Sequence, residues 1–170
     1  AYKGGARRVE LNSGLYLGGL TPSLSSLILT KKNTNLEVVC IIRPRGAGFN
    51  YDDSEFEQII LDAEILIENG ADGIAIGFLK DDNSIDTKKL SIISDIAKKN
   101  EVELVFHRAF DCTKNPFESI EILISNGVNR VLTSGYEESA FVGKELIREL
   151  QRKYGTMIQI LGGGGVNKYN

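Results

Sequence analysis

The sequence predicts an α/β fold in which β-strands and α-helices alternate along the chain. Three short segments, which begin at Gly4, Asn69 and Asn126, each place glycine or Asn-Gly before a run rich in Val, Ile and Leu. A glycine in the left-handed conformation commonly ends a helix, and a short apolar run bounded by turn residues is typical of a buried strand. Similar apolar runs lie between these segments, so six strands are predicted to begin near residues 8, 37, 72, 103, 130 and 157.

The intervals between these runs predict helices. The strands begin about 30 residues apart, which is the length of one strand plus one crossover helix. Within residues 54–68, apolar side chains such as Ile59, Ala63 and Leu66 recur at helical spacing. Helices are predicted over residues 22–32, 54–68, 87–99, 116–125 and 138–154. Thr21 is the expected N-cap residue of the first helix, and the second helix follows Asp52-Asp53.

Alternating strand–helix units predict a parallel sheet, which leaves two architectures: an open doubly wound sheet and a TIM-like (βα)8 barrel. The glycine run at 162–165 follows the sixth strand rather than the first, which disfavours a dinucleotide-binding sheet. The repeat on alternate strands favours the barrel, whose interior layers come from alternate strands. Eight units need about 240 residues, so a chain of 170 residues predicts one incomplete barrel domain over 1–170 with about six units. A complete six-unit protein is the alternative.

Composition excludes several classes of function. Apolar residues make up 42% and charged residues 25% of the chain, with 20 Lys and Arg against 23 Asp and Glu. This is a globular composition without the basic excess that nucleic-acid binding requires. The longest apolar run, Val38 to Ile42, is too short to span a bilayer. Two distant cysteines, Cys40 and Cys112, form no disulfide framework or zinc motif, which indicates a cytoplasmic protein.

In a TIM-like barrel the functional side chains lie at the carboxyl ends of the strands. Residue alternation places Glu10 on the face opposite Val9 and Leu11. We expect Glu10 to form an ion pair with Arg43, because an unpaired charge at that position is costly. In the alternative interpretation, Glu10 and Arg43 only fill the barrel.

Four residues at these strand ends are candidate catalytic residues: Glu10, Arg43, His107 and Asp111. His107 is the only histidine, so any imidazole acid–base chemistry depends on it. A polar residue whose hydrogen bonds are satisfied locally is the alternative for His107. Cys112 is the single sulfur-bearing residue at these strand ends and is the only metal-ligand candidate, without a complete ligand set.

A second group of residues predicts anion binding. The guanidinium groups of Arg43 and Arg45 lie in a glycine-rich turn and suit a carboxylate or phosphate, although the turn could equally be an exposed basic loop. The glycine run after the last strand can present backbone N–H groups to an anion. The candidate anion-binding residues are Arg45, Arg108, Thr133, Ser134, Gly162, Gly163 and Gly164.

Several segments of the chain resemble the CutC copper-homeostasis family. The resemblance extends from end to end and is carried by Arg8-Val9-Glu10-Leu11, Gly18-Gly19-Leu20-Thr21-Pro22-Ser23, Ile42-Arg43-Pro44-Arg45-Gly46, Gly70-Ala71-Asp72-Gly73, Phe106-His107-Arg108-Ala109-Phe110-Asp111, Arg130-Val131-Leu132-Thr133-Ser134-Gly135 and Gly162-Gly163-Gly164. It implies a (βα)8-like barrel, a cytosolic location and a homo-oligomer. It also implies that the first and last strands of the family lie outside this chain.

The same resemblance implies a link to copper as ligand or cofactor. Asn12 stands where the family commonly has a cysteine proposed to bind copper, and the other proposed cysteine precedes residue 1. Two functions stay open at this point. One is a copper-homeostasis protein that binds Cu(I) or supports its handling; the other is a TIM-barrel enzyme or binder for a small phosphorylated or carboxylated molecule.

Overall fold

The computed structural model describes residues 1–169. Within that range the regular elements are β1 (Arg8–Leu11), α1 (Leu24–Asn33), β2 (Glu37–Ile41), α2 (Asp53–Glu68), β3 (Gly73–Ile76), α3 (Thr87–Lys99), β4 (Glu103–Phe106), α4 (Pro116–Ser125), β5 (Arg130–Thr133), α5 (Lys144–Tyr154) and β6 (Gln159–Gly162). The strand order is β1-β2-β3-β4-β5-β6, and the pairs β1–β2, β2–β3, β4–β5 and β5–β6 are parallel. The predicted fold class is therefore confirmed as a TIM-like fold with six strands, where a full barrel has eight.

The chain packs as two compact units. The first unit comprises Ala1–Ile76 and Asp95–Leu104, and the second comprises Gly77–Ser94 and the chain from Val105 onward. The single domain expected over residues 1–170 stays a prediction. Among residues 1–169, none of the helices combines the length and the apolar character that crossing a membrane requires.

The first unit is built around β2. Val38 and Cys40 of this strand are fully buried, as expected for a parallel strand that is covered on both faces. Gly73 at the start of β3 permits a close approach of the neighbouring chain, since a Cβ atom there would lie 2.9 Å from the carbonyl oxygen of Glu103. The carboxylate of Asp72 accepts hydrogen bonds from Lys31 and from the backbone of Val38, each at 2.7 Å, and so joins three elements.

The second unit has an aromatic core. Phe106 at the end of β4 and Phe110 in the following turn are fully buried, together with Ile120 and Leu123 of α4. Phe106 is in register with Val131 of β5. The apolar residues at helical spacing in α4 thus pack where the amphipathic pattern predicts.

Glycines with left-handed backbone conformations lie just before three of the strands, as the sequence predicts. Gly5, Gly70 and Gly127 have φ angles of 82°, 95° and 73°, the left-handed region in which a Cβ atom is unfavourable. Each precedes β1, β3 or β5 by a few residues. The repeated glycine segments therefore mark helix or turn ends followed by strands.

Side chains cap the first two helices, but the N-cap residue predicted for α1 is wrong. Asp52 caps α2 in a capping box with Glu55, with the Glu55 amide donating to its carboxylate at 2.8 Å. The N-cap of α1 is Ser23 rather than Thr21. Thr21 does not cap the helix, because its hydroxyl accepts a hydrogen bond from the amide of Arg43 at 2.9 Å.

Helix α5 begins at Lys144, six residues later than predicted. Residues 138–143 form a turn instead, because the amide of Ala140 donates to the carbonyl oxygen of Gly164 at 2.9 Å. Gly143 must also approach the preceding turn closely: a Cβ atom there would lie 2.0 Å from the carbonyl oxygen of Ser134. These are tertiary contacts, which cannot be predicted from the helical pattern of the sequence.

Candidate functional site

His107 follows β4 and is almost fully buried, with 4% of its surface exposed. Its Nδ1 accepts a hydrogen bond of 3.1 Å from the amide of Ala109 and thereby caps the short 3-10 helix Arg108–Cys112. Because Nδ1 accepts, the proton of the neutral ring lies on Nε2. Gly77 makes room for this ring, since a Cβ atom at Gly77 would lie 2.3 Å from Cε1 of His107.

Both carboxylate oxygens of Asp111 accept hydrogen bonds from several donors. Its Oδ2 atom accepts from Nε of Arg108 at 2.9 Å and from the amide and hydroxyl of Ser134 at 2.9 and 3.0 Å. Its Oδ1 atom accepts from the hydroxyl of Thr133 and from the amide of Tyr136, the latter at 3.3 Å. The carboxylate therefore joins the turn after β4 to the turn after β5.

Arg108 is fixed along one edge of its guanidinium group. Nε donates to Asp111, and Nη2 donates to the hydroxyl of Ser134 at 2.7 Å. Nη1 makes no hydrogen bond within residues 1–169, and the side chain is 43% exposed. A Cβ atom built on Gly164 would lie 3.2 Å from Nη1. Arg108 thus offers a positive edge beside the turn that follows β6.

The glycine run after β6 is only partly available to a ligand. The amide of Gly163 donates to the carbonyl oxygen of Thr133 at 2.9 Å and so extends the sheet pairing. Gly164 has a φ of 104°, which a residue with a side chain rarely adopts. Its carbonyl oxygen accepts from Ala140, whereas its amide donates to none of the residues 1–169.

Arg43 in the first unit is 7% exposed. Its Nη1 donates to the carbonyl oxygens of Leu17 and Gly19 at 2.7 and 3.1 Å, and its guanidinium carbon lies 5.2 Å from the ring centre of Phe49. These contacts hold the connection between β1 and α1 in place. Gly18 accommodates the guanidinium, because a Cβ atom there would lie 3.1 Å from Nη1.

Arg45 closes the turn that precedes α2. It forms an ion pair with Glu55, with Nη2 to Oε2 at 3.0 Å, and donates to the carbonyl oxygens of Ala47 and Asn50 at 2.7 and 2.8 Å. The hydrogen bond with Glu55 raises the pKa of Arg45 despite partial burial. The guanidinium also lies 4.9 Å from the ring centre of Tyr51. Its charge is therefore matched by Glu55 in the first turn of α2.

Glu10 makes no hydrogen bond or ion pair in the part of the chain that the structure describes. The expected ion pair with Arg43 is absent. Glu10 is in register with Val39 of β2, four residues before Arg43, which corresponds to about 13 Å along a strand. Glu10 retains solvent exposure, but the surrounding protein removes enough water to raise the pKa of its carboxyl group.

The sequence-predicted residues thus fall into distinct groups. Within the second unit, hydrogen bonds join Arg108, Asp111, Thr133 and Ser134, and Gly164 lies beside them. Within the first unit, Arg43 and Arg45 share one loop but bind different partners. Tyr136 was missed by sequence reasoning: its amide donates to Asp111 and its hydroxyl bonds to Thr113. No local pattern distinguishes such a residue, although Ser134-Gly135 indicates the turn that positions it.

Sulfur ligands for copper are sparse. Cu(I) prefers thiolate and thioether ligands. Cys40 is buried in β2, and burial raises the pKa of its thiol to about 12. Cys112 is exposed, although partial burial also raises the pKa of its thiol. Among residues 1–169, no group of three or more His, Cys, Asp or Glu side chains is arranged to hold a metal ion. The described donor set therefore does not fit a Cu(I) site formed by this chain alone.

Fold and site together define a TIM-like protein that carries polar and charged side chains at the carboxyl ends of its parallel strands. The model of the CutC family matches residues 1–170. The chain therefore belongs to the CutC family.

Individual relatives agree with this assignment. A family protein CutC from Treponema denticola is 48% identical over 170 residues, which are all of this chain and 68% of the relative. The human copper homeostasis protein cutC homolog is 39% identical over 170 residues, with 100% of this chain and 62% of that protein covered. The chain thus spans about two thirds of the length of these curated relatives.

A solved structure supports the same fold. The copper homeostasis protein CutC from Streptococcus agalactiae superposes with a TM-score of 0.86 at 32% sequence identity. The superposition covers 94% of this chain and 79% of that chain. The TIM-like assignment thus agrees with a solved member of the family.

Proposed function

We propose that this chain acts in copper homeostasis and that its molecular task is to bind a small anion at Arg108. The first part is supported by the family and by the names of the human and mouse relatives, which are copper homeostasis protein homologs. The second part is carried by one observation: Nε and Nη2 of Arg108 are hydrogen-bonded within the protein, whereas Nη1 is not. An arginine held along one edge can direct its remaining N–H groups at phosphate or carboxylate oxygens.

The surroundings of Arg108 suit an anion. Gly164 lies beside Nη1, and its amide donates to none of the residues 1–169. In this proposal that amide is the second donor for the ligand. The carboxylate of Asp111 is saturated by donors from the turn after β5, which reduces its repulsion of an approaching anion. In this proposal Thr133 and Ser134 shape the site, and Gly162 and Gly163 support the turn.

This proposal is tested by titrating the protein with inorganic phosphate and with malonate while the amide chemical shifts are measured by NMR. Arg108→Ala should weaken phosphate binding by about 1.5–3 kcal/mol, the usual contribution of charged hydrogen bonds. Arg152→Ala is the matched control, because it removes the same charge from an exposed position on α5. Equal affinities for Arg108→Ala and Arg152→Ala would mean that only net charge matters and would overturn the proposed site.

We propose that this chain binds Cu(I) only weakly, because Cys112 is the one exposed cysteine and a single thiol is a poor Cu(I) site. Competition with a Cu(I) chelator should leave little metal on the protein. Cys112→Ser should then change the retained copper only slightly. Tight stoichiometric retention that survives Cys112→Ser would show that other ligands exist and would refute this part of the proposal.

The remaining candidate residues receive distinct proposed roles. Glu10 is the candidate for proton transfer, because its carboxylate has no partner within residues 1–169 and its pKa is raised by loss of water. Arg43, Arg45 and His107 act by fixing loops, since each forms a hydrogen bond with nearby backbone or carboxylate groups. Measuring phosphate affinity in Arg45→Ala tests this division: the affinity should change less than in Arg108→Ala.

We further propose a cytoplasmic homo-oligomer. Free cysteines without a disulfide suit a reducing compartment. Apolar side chains before α1 are exposed, with Leu15 at 75% and Tyr16 at 89%, which is a common feature of association surfaces. Light scattering of the purified chain should give a mass above that of one chain, and Tyr16→Ser should lower it. A monomer at all concentrations would contradict the proposal.

A further inference from the structure

We infer that Asp111 is the positioning residue of the anion site, which it serves by fixing the guanidinium plane of Arg108. This inference rests on the proposed function, because the anion is the ligand that Arg108 binds. Asp111 would then act through Arg108 and make no contact with the ligand.

Saturation of the carboxylate supports this role. Asp111 is 8% exposed at its side chain and accepts hydrogen bonds from Arg108, Thr133, Ser134 and Tyr136. A carboxylate has about four lone-pair positions, and these donors occupy both of its oxygens. Asp111 therefore has no free acceptor position for a proton or a hydrogen bond from a ligand.

Two attachment points define the orientation of Arg108. Nε is held by Oδ2 of Asp111 at 2.9 Å, and Nη2 is held by the hydroxyl of Ser134 at 2.7 Å. The single proton of that hydroxyl is shared between Oδ2 of Asp111 at 3.0 Å and the carbonyl oxygen of Glu137 at 2.5 Å. The carboxylate therefore holds Nε directly and supports Nη2 through Ser134. A planar guanidinium held at two nitrogens cannot rotate about its long axis, and Nη1 is left at a fixed place beside Gly164.

Charge and positioning predict opposite results for one substitution. Asp111→Asn removes a negative charge close to Arg108. If only the local charge governed binding, the variant would bind anions more tightly than the native protein. If Asp111 positions Arg108, the variant binds anions more weakly, because Nη1 loses its fixed orientation. The sign of the change therefore separates the two explanations.

The experiment combines phosphate titration with NMR of the arginine Nε–H groups. In the native chain, the Nε proton of Arg108, assigned by its loss in Arg108→Lys, should exchange slowly with water. In Asp111→Asn that protection should disappear, and phosphate affinity should fall at least tenfold at a temperature where the variant is folded. Ser94→Ala is the matched control. It removes a buried hydroxyl that bonds to the carbonyl oxygen of Asn126 and touches none of the residues that hold Arg108, so it should lower the melting temperature without changing phosphate affinity by more than about twofold.

Each outcome has a distinct meaning. Tighter or unchanged phosphate binding in Asp111→Asn overturns the positioning role. A protected Nε proton in a native chain that binds neither phosphate nor malonate refutes the proposed function, while an exposed Nε proton refutes the positioning role by itself. If Asp111→Asn does not fold, Ser134→Ala provides the test, because it removes the Nη2 attachment and leaves the bond between Nε and Asp111 in place. It should weaken phosphate binding and leave the Nε proton protected; unchanged affinity overturns the inference.

Discussion

Arg43→Ala should release the connection between β1 and α1. In the native chain, a single guanidinium nitrogen bonds to the carbonyl oxygens of Leu17 and Gly19 at 2.7 and 3.1 Å. The connection also contains a short bridge, in which Ser13 and Leu20 exchange backbone hydrogen bonds of 2.9 and 2.8 Å. Between these residues, Gly14, Gly18 and Gly19 have positive φ angles. We therefore expect the substitution to loosen residues 14–19 more than residues 13 and 20.

The magnitude follows from the contacts that are lost. A hydrogen bond to a charged donor contributes about 1.5–3 kcal/mol. The carbonyl of buried Gly19 loses its partner, whereas Leu17 is 42% exposed and its carbonyl can bond to water. The cation–π contact with Phe49 adds about 1 kcal/mol, and relief from burying a charge offsets part of the loss. We expect the free energy of unfolding to fall by about 3 kcal/mol.

Urea denaturation and amide hydrogen exchange measure the two effects. Exchange of the amides of residues 14–19 should accelerate more than exchange in β1 and β2. Arg7→Ala is the matched control, since Arg7 is exposed and its side chain makes no hydrogen bond within residues 1–169; it should change stability by less than about 0.5 kcal/mol. Equal stabilities of Arg43→Ala and Arg7→Ala, with unchanged exchange in the loop, would refute the role assigned to Arg43.

Three further predictions concern stability. Gly77→Ala should lower the free energy of unfolding, measured by urea denaturation, by about 3 kcal/mol, because the new Cβ atom would overlap the ring of His107. Gly4→Ala is the control and should be nearly neutral, because a Cβ atom there meets nothing within 4 Å. Because the pKa of Glu10 is raised in the folded state, its carboxyl group stabilises the fold at a pH below its ordinary pKa, and this contribution is lost as the pH rises through the folded-state pKa. The free energy of unfolding of Glu10→Gln should therefore increase relative to that of the native chain as the pH rises from about 4 to 7. A difference that does not change with pH would contradict this. Asp52→Ala should cost about 1 kcal/mol in thermal unfolding through loss of the N-cap of α2; no loss would show that Glu55 suffices.

Local sequence signals determined the order and nature of the elements. Glycines that adopt positive φ, such as Gly70 and Gly127, stand directly before buried strands, and both properties are readable from a few adjacent residues. Helices such as α3 and α4 have the bounds that apolar spacing predicts, since the hydrophobic stripe is a property of the helix itself. The family could also be recognised, because its motifs are short and contiguous.

The pairing of charged side chains was decided by tertiary structure alone. Glu10 lies in β1 and Arg43 follows β2, as expected. Strand register nevertheless places Glu10 beside Val39, so Glu10 and Arg43 do not meet. Arg45 finds Glu55 one helix turn into α2, and Asp111 collects donors that lie more than 20 residues away along the chain. Strand register and the turns between elements decide which of these side chains meet, whereas sequence spacing specifies only which end of a strand a side chain occupies.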